Sequence, residues 1–343
     1  MSAWVYTHEQ PPPPGTRRPV TDSVDWVRLP VPGSLEHINV WLLKDGDGWT
    51  LVDTGMSVPE ARAAWAGPLA AAFRERPLRR ILCTHHHPDH AGLARWLAEA
   101  HGVPVLMSAP EDAVMRRIEA VWHEPESRDR HLAWWAATGV EMGPAQLPFL
   151  TLNGYRGVIS GRPAVAEYVA DGDSLTIGRV RYQCRLFAGH TDAQIVLLDP
   201  AGGVIIAGDQ VLPRISSNVG AYPERADANP LASYLDSLDV LDSIAADLTV
   251  LPSHGLPFRG LKARTAELKD HHRLTLERVI ACLEAPRSAA DAARALFPGA
   301  GDGLNRLLAV GETLAHLMYL ESHGRVVAQA SAQGIRHYGC PDR

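Results

Sequence analysis

The chain has 343 residues, 46% hydrophobic and 21% charged, with a formal net charge of −6, which describes an ordinary globular protein able to bury a large core and carry a second small domain. No apolar run approaches the ~20 residues of a membrane span, so no membrane partner is expected, and the mild acidity argues against broad electrostatic capture of nucleic acid. The four cysteines, Cys83, Cys184, Cys282 and Cys340, lack CxxC spacing and read as dispersed free thiols, which predicts a cytoplasmic protein.

Residues 1–23 contain Pro11-Pro12-Pro13-Pro14 and no apolar block, the composition of an extended arm rather than a signal peptide. Strands are expected near residues 26–29, 37–43 and 49–52, with Asp45-Gly46-Asp47-Gly48 supplying hairpin turn chemistry between the last two. The third of these runs into Asp53-Thr54-Gly55. Helical periodicity covers residues 59–73 and 91–101. Between them an apolar strand over 80–83 enters Thr84-His85-His86-His87-Pro88-Asp89-His90.

That string contains His-x-His-x-Asp-His, so His85, His87, Asp89 and His90 place four metal-ligand side chains in one short loop. Imidazole nitrogen and carboxylate oxygen suit a borderline first-row dication, and open metal sites are where hydrolytic chemistry occurs. The loop lies at the C-terminal end of a strand, the edge where layered α/β folds bind ligands. His86 faces away from its neighbours in an extended loop and is left out of the set.

Residues 109–163 interrupt the alternation of strand and helix. Apolar positions at helical spacing predict one or two helices there. Trp122, Trp134, Trp135 and Phe149 within this insertion are candidates to line a substrate pocket. The competing role for Trp134 and Trp135 is to anchor the insertion to the body or to form a dimer contact. Three further strand ends offer polar groups: 182–187 leads to Ala188-Gly189-His190-Thr191, 203–206 to Ala207-Gly208-Asp209, and 248–251 to Pro252-Ser253-His254-Gly255. Beyond Asp209, Arg214 stands at an expected pocket rim, either receiving a substrate carboxylate or phosphate or making a structural salt bridge.

After residue 260 the pattern changes to amphipathic helices over 264–284, 288–297 and 304–322 and a terminal hairpin over 326–330 and 334–338. Three helices and a hairpin suggest a winged-helix-like module over 264–343. Winged helices often bind nucleic acid, yet this stretch carries ten Lys/Arg against nine Asp/Glu, and a phosphate-reading surface is more basic. Covering the active site or pairing protomers in a homodimer suits it better. His271, His272, His316 and His323 read as packing or surface residues.

Taken together and in this order, the five strand-end motifs resemble the metallo-β-lactamase fold superfamily of hydrolases, over roughly residues 24–263. The C-terminal module resembles that of β-lactamase-like hydrolases that include thioesterases and single-strand-specific ribonucleases. The resemblance implies an α/β fold: an αββα sandwich followed by the small winged-helix-like domain. It also implies two divalent metal ions, zinc first with iron or manganese as alternatives. His85, His87 and His190 would hold one ion, Asp89, His90 and His254 the other, and Asp209 would bridge them. Asp53 reads as a carboxylate that orients a metal-bound imidazole by hydrogen bonding, a plain turn role being the alternative.

Departures from the family pattern narrow the substrate. Asp209 at the bridging position argues against a true β-lactamase, Ala91-Gly92-Leu93 weakens the case for glutathione thioesters, and His87 stands where oxygen-reducing di-iron relatives carry a glutamate. Two metals in such a site sit ~3.5–4 Å apart and share a water whose pKa falls toward ~7. The expected nucleophile is then the bridging hydroxide, oriented by Asp89, while the second metal polarises the scissile group. The expected function is a dinuclear metal-dependent hydrolase of a small-molecule ester or thioester. A single-strand-specific ribonuclease or phosphodiesterase is the alternative. A metal-containing binding or regulatory protein is a third reading, disfavoured because structural metal sites close with four protein ligands each.

Overall fold

The computed structural model describes residues 4–226, 229–244 and 247–341. Strand Val24–Pro30 shows the period-two pattern on which the body is built. Val24 and Trp26 face the space between two sheets, whereas Val27 and Leu29 face helices outside, and all four are buried. Strand His37–Asp45 repeats the pattern, with Trp41 and Leu43 inward and Ile38, Val40 and Leu42 outward. Strands covered on both faces must be apolar on both, which is why these runs lack a clean alternation of polar and apolar residues.

The first sheet is ordered Arg17–Pro19, Val24–Pro30, His37–Asp45, Gly48–Val52, Leu78–Leu82, Val105–Met107, Val165–Tyr168. The second runs Val5–Tyr6, Phe258–Arg259, Thr249–Pro252, Val204–Gly208, Gln194–Asp199, Val180–Phe187, Ser174–Ile177. The inner faces share one core, in which Trp26 and Trp41 stack at 6.0 Å. Helices cover both outer faces: Pro59–Ala66 and Ala94–His101 on the first sheet, Pro230–Asp242 and the start of Leu261–Cys282 on the second. This is the expected αββα sandwich.

Parallel pairing joins Gly48–Val52 to Leu78–Leu82, and Val204–Gly208 to Thr249–Pro252. Parallel neighbours need a crossover, and a helix supplies each one. The consequence is functional. Asp53, the 84–90 loop, Asp209 and His254 all follow these parallel strands and emerge at their C-terminal ends.

Several elements differ from the sequence expectation. The helix expected over 59–73 is two, Pro59–Ala66 and Ala70–Glu75, because Gly67-Pro68 interrupts the hydrogen-bond ladder. The insertion holds four helices, Ala109–His123, Pro125–Ala137, Leu147–Leu150 and Asn153–Arg156, rather than one or two. The extended N-terminal stretch lies down as an edge strand of both sheets, Val5–Tyr6 against Phe258–Arg259 and Arg17–Pro19 against Val24–Pro30. Near the C-terminus, helices Leu261–Cys282, Ala289–Leu296 and Leu304–Ser322 pack beside a sheet of order Arg287–Ser288, Arg336–Gly339, Val327–Ala330, which adds a short strand to the expected hairpin. No helix among the described residues is long and apolar enough to cross a membrane.

One buried polar residue ties the two sheets together. Asn39 accepts from the Trp26 indole at 2.8 Å and donates to the carbonyls of Pro252 and Gly255 at 2.9 and 2.8 Å, on either side of His254. Asn39→Ala strands these buried groups and should cost about 2–4 kcal/mol, read as a lower urea midpoint at unchanged m-value.

Candidate metal centre

The strand ends bring seven side chains to one point between the sheets. His87 caps the one-turn helix Pro88–Ala91, which turns Asp89 and His90 inward, both buried. His190 follows a turn at Gly189 (φ +107°), where an added Cβ would lie 2.3 Å from Tyr234. Only glycine lets this turn rest directly on helix Pro230–Asp242.

Ligand-capable atoms gather into three overlapping sets, His85–His87–His190, His85–His90–Asp209 and Asp89–His90–His254, each within 4.8 Å. His85 Nε2 lies 3.0 Å from His87 Nδ1 and 3.3 Å from His190 Nε2. His254 Nε2 lies 3.3 Å from Asp89 Oδ2. Asp209 Oδ1 is 3.5 Å from His90 Nε2 and 3.6 Å from His254 Nε2, while Oδ2 is 3.5 Å from His190 Nε2.

Four of the rings are anchored on Nδ1 and present Nε2 to the centre. His90 Nδ1 meets Asp53 Oδ2 at 2.8 Å, His190 Nδ1 donates to the Asn218 carbonyl at 2.9 Å, and His254 Nδ1 donates to the His37 carbonyl at 2.7 Å. His85 Nδ1 meets the Thr84 hydroxyl at 3.1 Å, and that hydroxyl donates in turn to Asp53. On the inner side, His90 Nε2, His254 Nε2 and Asp209 Oδ1 are buried without a hydrogen-bond partner. Buried polar atoms are normally satisfied. Convergent orphans on rings whose outer nitrogens are fixed are the donor set of a divalent cation, and the residues fit one.

The electrostatics agree. Burial holds His85, His87 and His190 below the usual imidazole range, in the neutral form that ligates. Burial also opposes charge on His254, yet Asp209 and Asp89 outweigh it and lift its pKa to about 10. The carboxylates thus draw positive charge into the centre, a demand a dication meets.

Asp53 stands where a ring-orienting carboxylate is expected. It adopts φ +62°, receives the Thr84 amide at 2.7 Å and contacts His90. Glu111 is a residue that motif reading passed over. Fully buried, it accepts from the His86 amide at 3.0 Å and the Ala193 amide at 2.7 Å, and contacts His86 Nδ1 at 2.6 Å. Burial opposes its ionisation, but His86 and these hydrogen bonds hold it down to about 2. It clamps the histidine loop to the strand after His190. Its sequence signal was the capping pattern Ser108-Ala109-Pro110-Glu111, in which Ser108 caps the helix while the glutamate turns away to the loop. His86 therefore serves structure, outside the convergent set.

The expected pocket residues are held by packing and hydrogen bonds. Trp135 is buried among the C-terminal helices, with Trp134 and Phe149 packed against the same cluster, the anchoring role. Trp122 donates to the Leu152 carbonyl and packs against Tyr155 and Arg156 within the insertion. Arg214 is exposed, makes no salt bridge among the described residues, and donates to the Tyr6 hydroxyl at 3.0 Å.

Comparison with known proteins accounts for this arrangement. The family model described as the metallo-beta-lactamase superfamily matches residues 33–254, and that of the metallo-beta-lactamase-like C-terminal domain matches 276–340. The chain belongs to the metallo-beta-lactamase superfamily. It is 27% identical over 326 residues to the probable metallo-hydrolase YqjP of Bacillus subtilis, covering 90% of this chain and 95% of that protein. Among solved structures it is similar to a beta-lactamase domain protein from Burkholderia ambifaria (35% identity, TM-score 0.84, 98% of both chains). A metallo-beta-lactamase family protein from Thermus thermophilus aligns at 29% identity and TM-score 0.81, over 94% of this chain and 100% of that one.

If Asp53 orients His90 as its contacts indicate, Asp53→Asn should weaken metal retention about ten- to hundredfold with the circular dichroism spectrum unchanged. Competition against a graded series of chelators measures it.

Proposed function

We propose that the protein is a dinuclear metal-dependent hydrolase of a small ester or thioester. The orientation of Asp209 carries the dinuclear reading: Oδ1 faces His90 and His254 and Oδ2 faces His190, so one carboxylate addresses two groups of ligands. His85, His87 and His190 would hold one ion, Asp89, His90 and His254 the other, with Asp209 shared. Such a histidine-rich set with two carboxylates favours zinc, with iron and manganese as alternatives.

Bound divalent ions would supply an activated water and a Lewis acid for the acyl oxygen. The chain supplies the rest. Asp89 turns Oδ2 to the His254 ring and keeps its side chain 11% exposed, which leaves Oδ1 to orient the attacking water and take its proton. No serine or cysteine nucleophile is needed; Cys83, the thiol nearest the histidine loop in sequence, is fully buried and burial pushes its pKa up.

Two features favour a small acyl substrate over a nucleic-acid strand. The loop after Asp209 is fastened to the C-terminal helix Leu304–Ser322, the Ala221 amide donating to the Gly311 carbonyl at 3.0 Å, which narrows the approach beside His190. The C-terminal stretch from residue 264 is also nearly neutral, with ten Lys/Arg and nine Asp/Glu, where a strand-binding groove needs several cationic phosphate contacts.

Elemental analysis of purified protein should find close to two first-row metals per chain, and Asp209→Ala should lose metal and activity together. Asp89→Asn should keep much of the metal while turnover falls about 10²–10⁴-fold. A panel of esters, acyl thioesters, lactones, lactams and single-stranded RNA tests the substrate class. Metal-dependent ester or thioester turnover is expected; efficient cutting of RNA without acyl turnover would overturn the reading.

A further inference from the structure

We infer that the cleft between residues 216–218 and the C-terminal helix Leu304–Ser322 is a substrate subsite in which Glu312 binds a cationic nitrogen, an ammonium carried on a short apolar arm. The inference rests on the acyl-hydrolase reading for the chemistry but on the cleft's own geometry for the ligand.

The cleft measures about 280 Å³, with Ser216, Ser217 and Asn218 on one side and Phe297, Leu308 and Glu312 among the residues on the other. Its first wall is hydrogen-bonded to two residues of the centre. The Asn218 carbonyl accepts from His190 Nδ1 at 2.9 Å, and the Ser217 hydroxyl donates to the Asp209 carbonyl. A ligand held there touches the loop that fixes His190, a candidate metal ligand.

The second wall is fixed in register with the first. Tyr222 donates to Asn218 Oδ1 at 2.6 Å, and its ring lies so close to Gly311 that a Cβ there would come within 2.6 Å. Together with the Ala221–Gly311 hydrogen bond, this contact sets Glu312, the next residue, opposite Asn218. Among the described residues, no lysine, arginine or histidine nitrogen lies within salt-bridge distance of the Glu312 carboxylate.

A half-desolvated carboxylate with no ion-paired contact is costly to keep. Burial raises the Glu312 pKa to about 7, with the Arg278 guanidinium offsetting only part of the effect. A carboxylate so placed gains most from a cation that enters with the ligand. Phe297 and Leu308 offer apolar surface to a methylene chain. The complementary ligand is therefore amphipathic: an alkyl stem with a terminal ammonium, joined to the scissile acyl group at the metal side.

The test uses the full metal-loaded chain and two probes of equal shape, n-pentylammonium and n-pentanol, with affinities read by NMR titration. Pentylammonium should bind the wild type about tenfold or more tighter than pentanol, and Glu312→Gln should abolish that preference while leaving pentanol binding and the melting temperature undiminished. With nitrophenyl esters of trimethylammonio-butyrate and of its uncharged carbon isostere, Glu312→Gln should raise KM for the charged ester alone and leave kcat for both. Equal binding of the two probes by the wild type, no binding of either, or a preference that survives in Glu312→Gln would overturn the subsite. The wild-type comparison decides the matter even where the variant fails to fold. Absence of all acyl turnover, with the Glu312-dependent preference intact, would instead overturn the acyl-hydrolase reading alone.

Discussion

The structure depends on crowding five imidazoles and two carboxylates into one buried point, where three inner atoms, His90 Nε2, His254 Nε2 and Asp209 Oδ1, have no hydrogen-bond partner among the described residues. Such a cluster is unfavourable by itself: burial disfavours charge, and lone pairs face one another at 3.0–3.3 Å. Two things offset the cost. The sandwich places the 84–90 loop, Asp209 and His254 at the C-terminal ends of paired parallel strands and His190 at the end of an antiparallel one, so the backbone of each turn is fixed by the sheet before any ion arrives. Each Nδ1-anchored ring is also held from outside, so its rotamer and its ligating nitrogen are determined in advance.

The anchors are of two kinds, and the difference matters chemically. His190 and His254 donate to neutral carbonyls of Asn218 and His37, whereas His90 and, through Thr84, His85 lean on the Asp53 carboxylate. A carboxylate behind an imidazole makes the ring a stronger donor than a carbonyl does. Glu111 fixes the loop that carries four of the candidate ligands by holding His86, and the same carboxylate receives the Ala193 amide. The histidine loop of the first sheet and the His190 turn of the second are thereby locked to each other through one side chain. A shift of either sheet would have to break that buried clamp.

The candidate ligands are legible in the sequence because their signals are local: spacing within 84–90 and a polar residue directly after each apolar strand. The strands and long helices were legible for the same reason, since hydrophobic period is a local signal. What escaped was set by contacts between distant segments. Nothing near Asn39 indicates that it joins Trp26 to the turn around His254, more than two hundred residues away in sequence. Glu111 carries an ordinary helix-start pattern, and its use as a clamp follows only from where the helix lands. The tryptophans of the insertion announced burial but not against what; in the folded chain Trp135 meets Tyr222 and the C-terminal helices. The N-terminal proline-rich stretch reads as extended, and an extended chain next to an open sheet edge pairs with it, which only the sheet order reveals.

The residues that escaped also explain why the C-terminal segment belongs to the site rather than beside it. Trp135 and Leu150 of the insertion, Ala221 of the loop after Asp209, and Val310, Leu314 and Leu317 of the last long helix form one apolar cluster. The loop that holds His190 through Asn218 is therefore seated on the same core that stabilises the C-terminal helices. Stability of that core and position of the ring are linked: loosening the helix frees Tyr222, Tyr222 releases Asn218, and the His190 nitrogen loses its aim. The sheets supply the strand ends that carry the candidate metal ligands. The insertion and the C-terminal helices add the surroundings, with a cleft of limited size between the Asn218 loop and the last long helix. In the proposed reading, selectivity for substrate would come from these surroundings, since the ligand shell itself addresses only the reacting group.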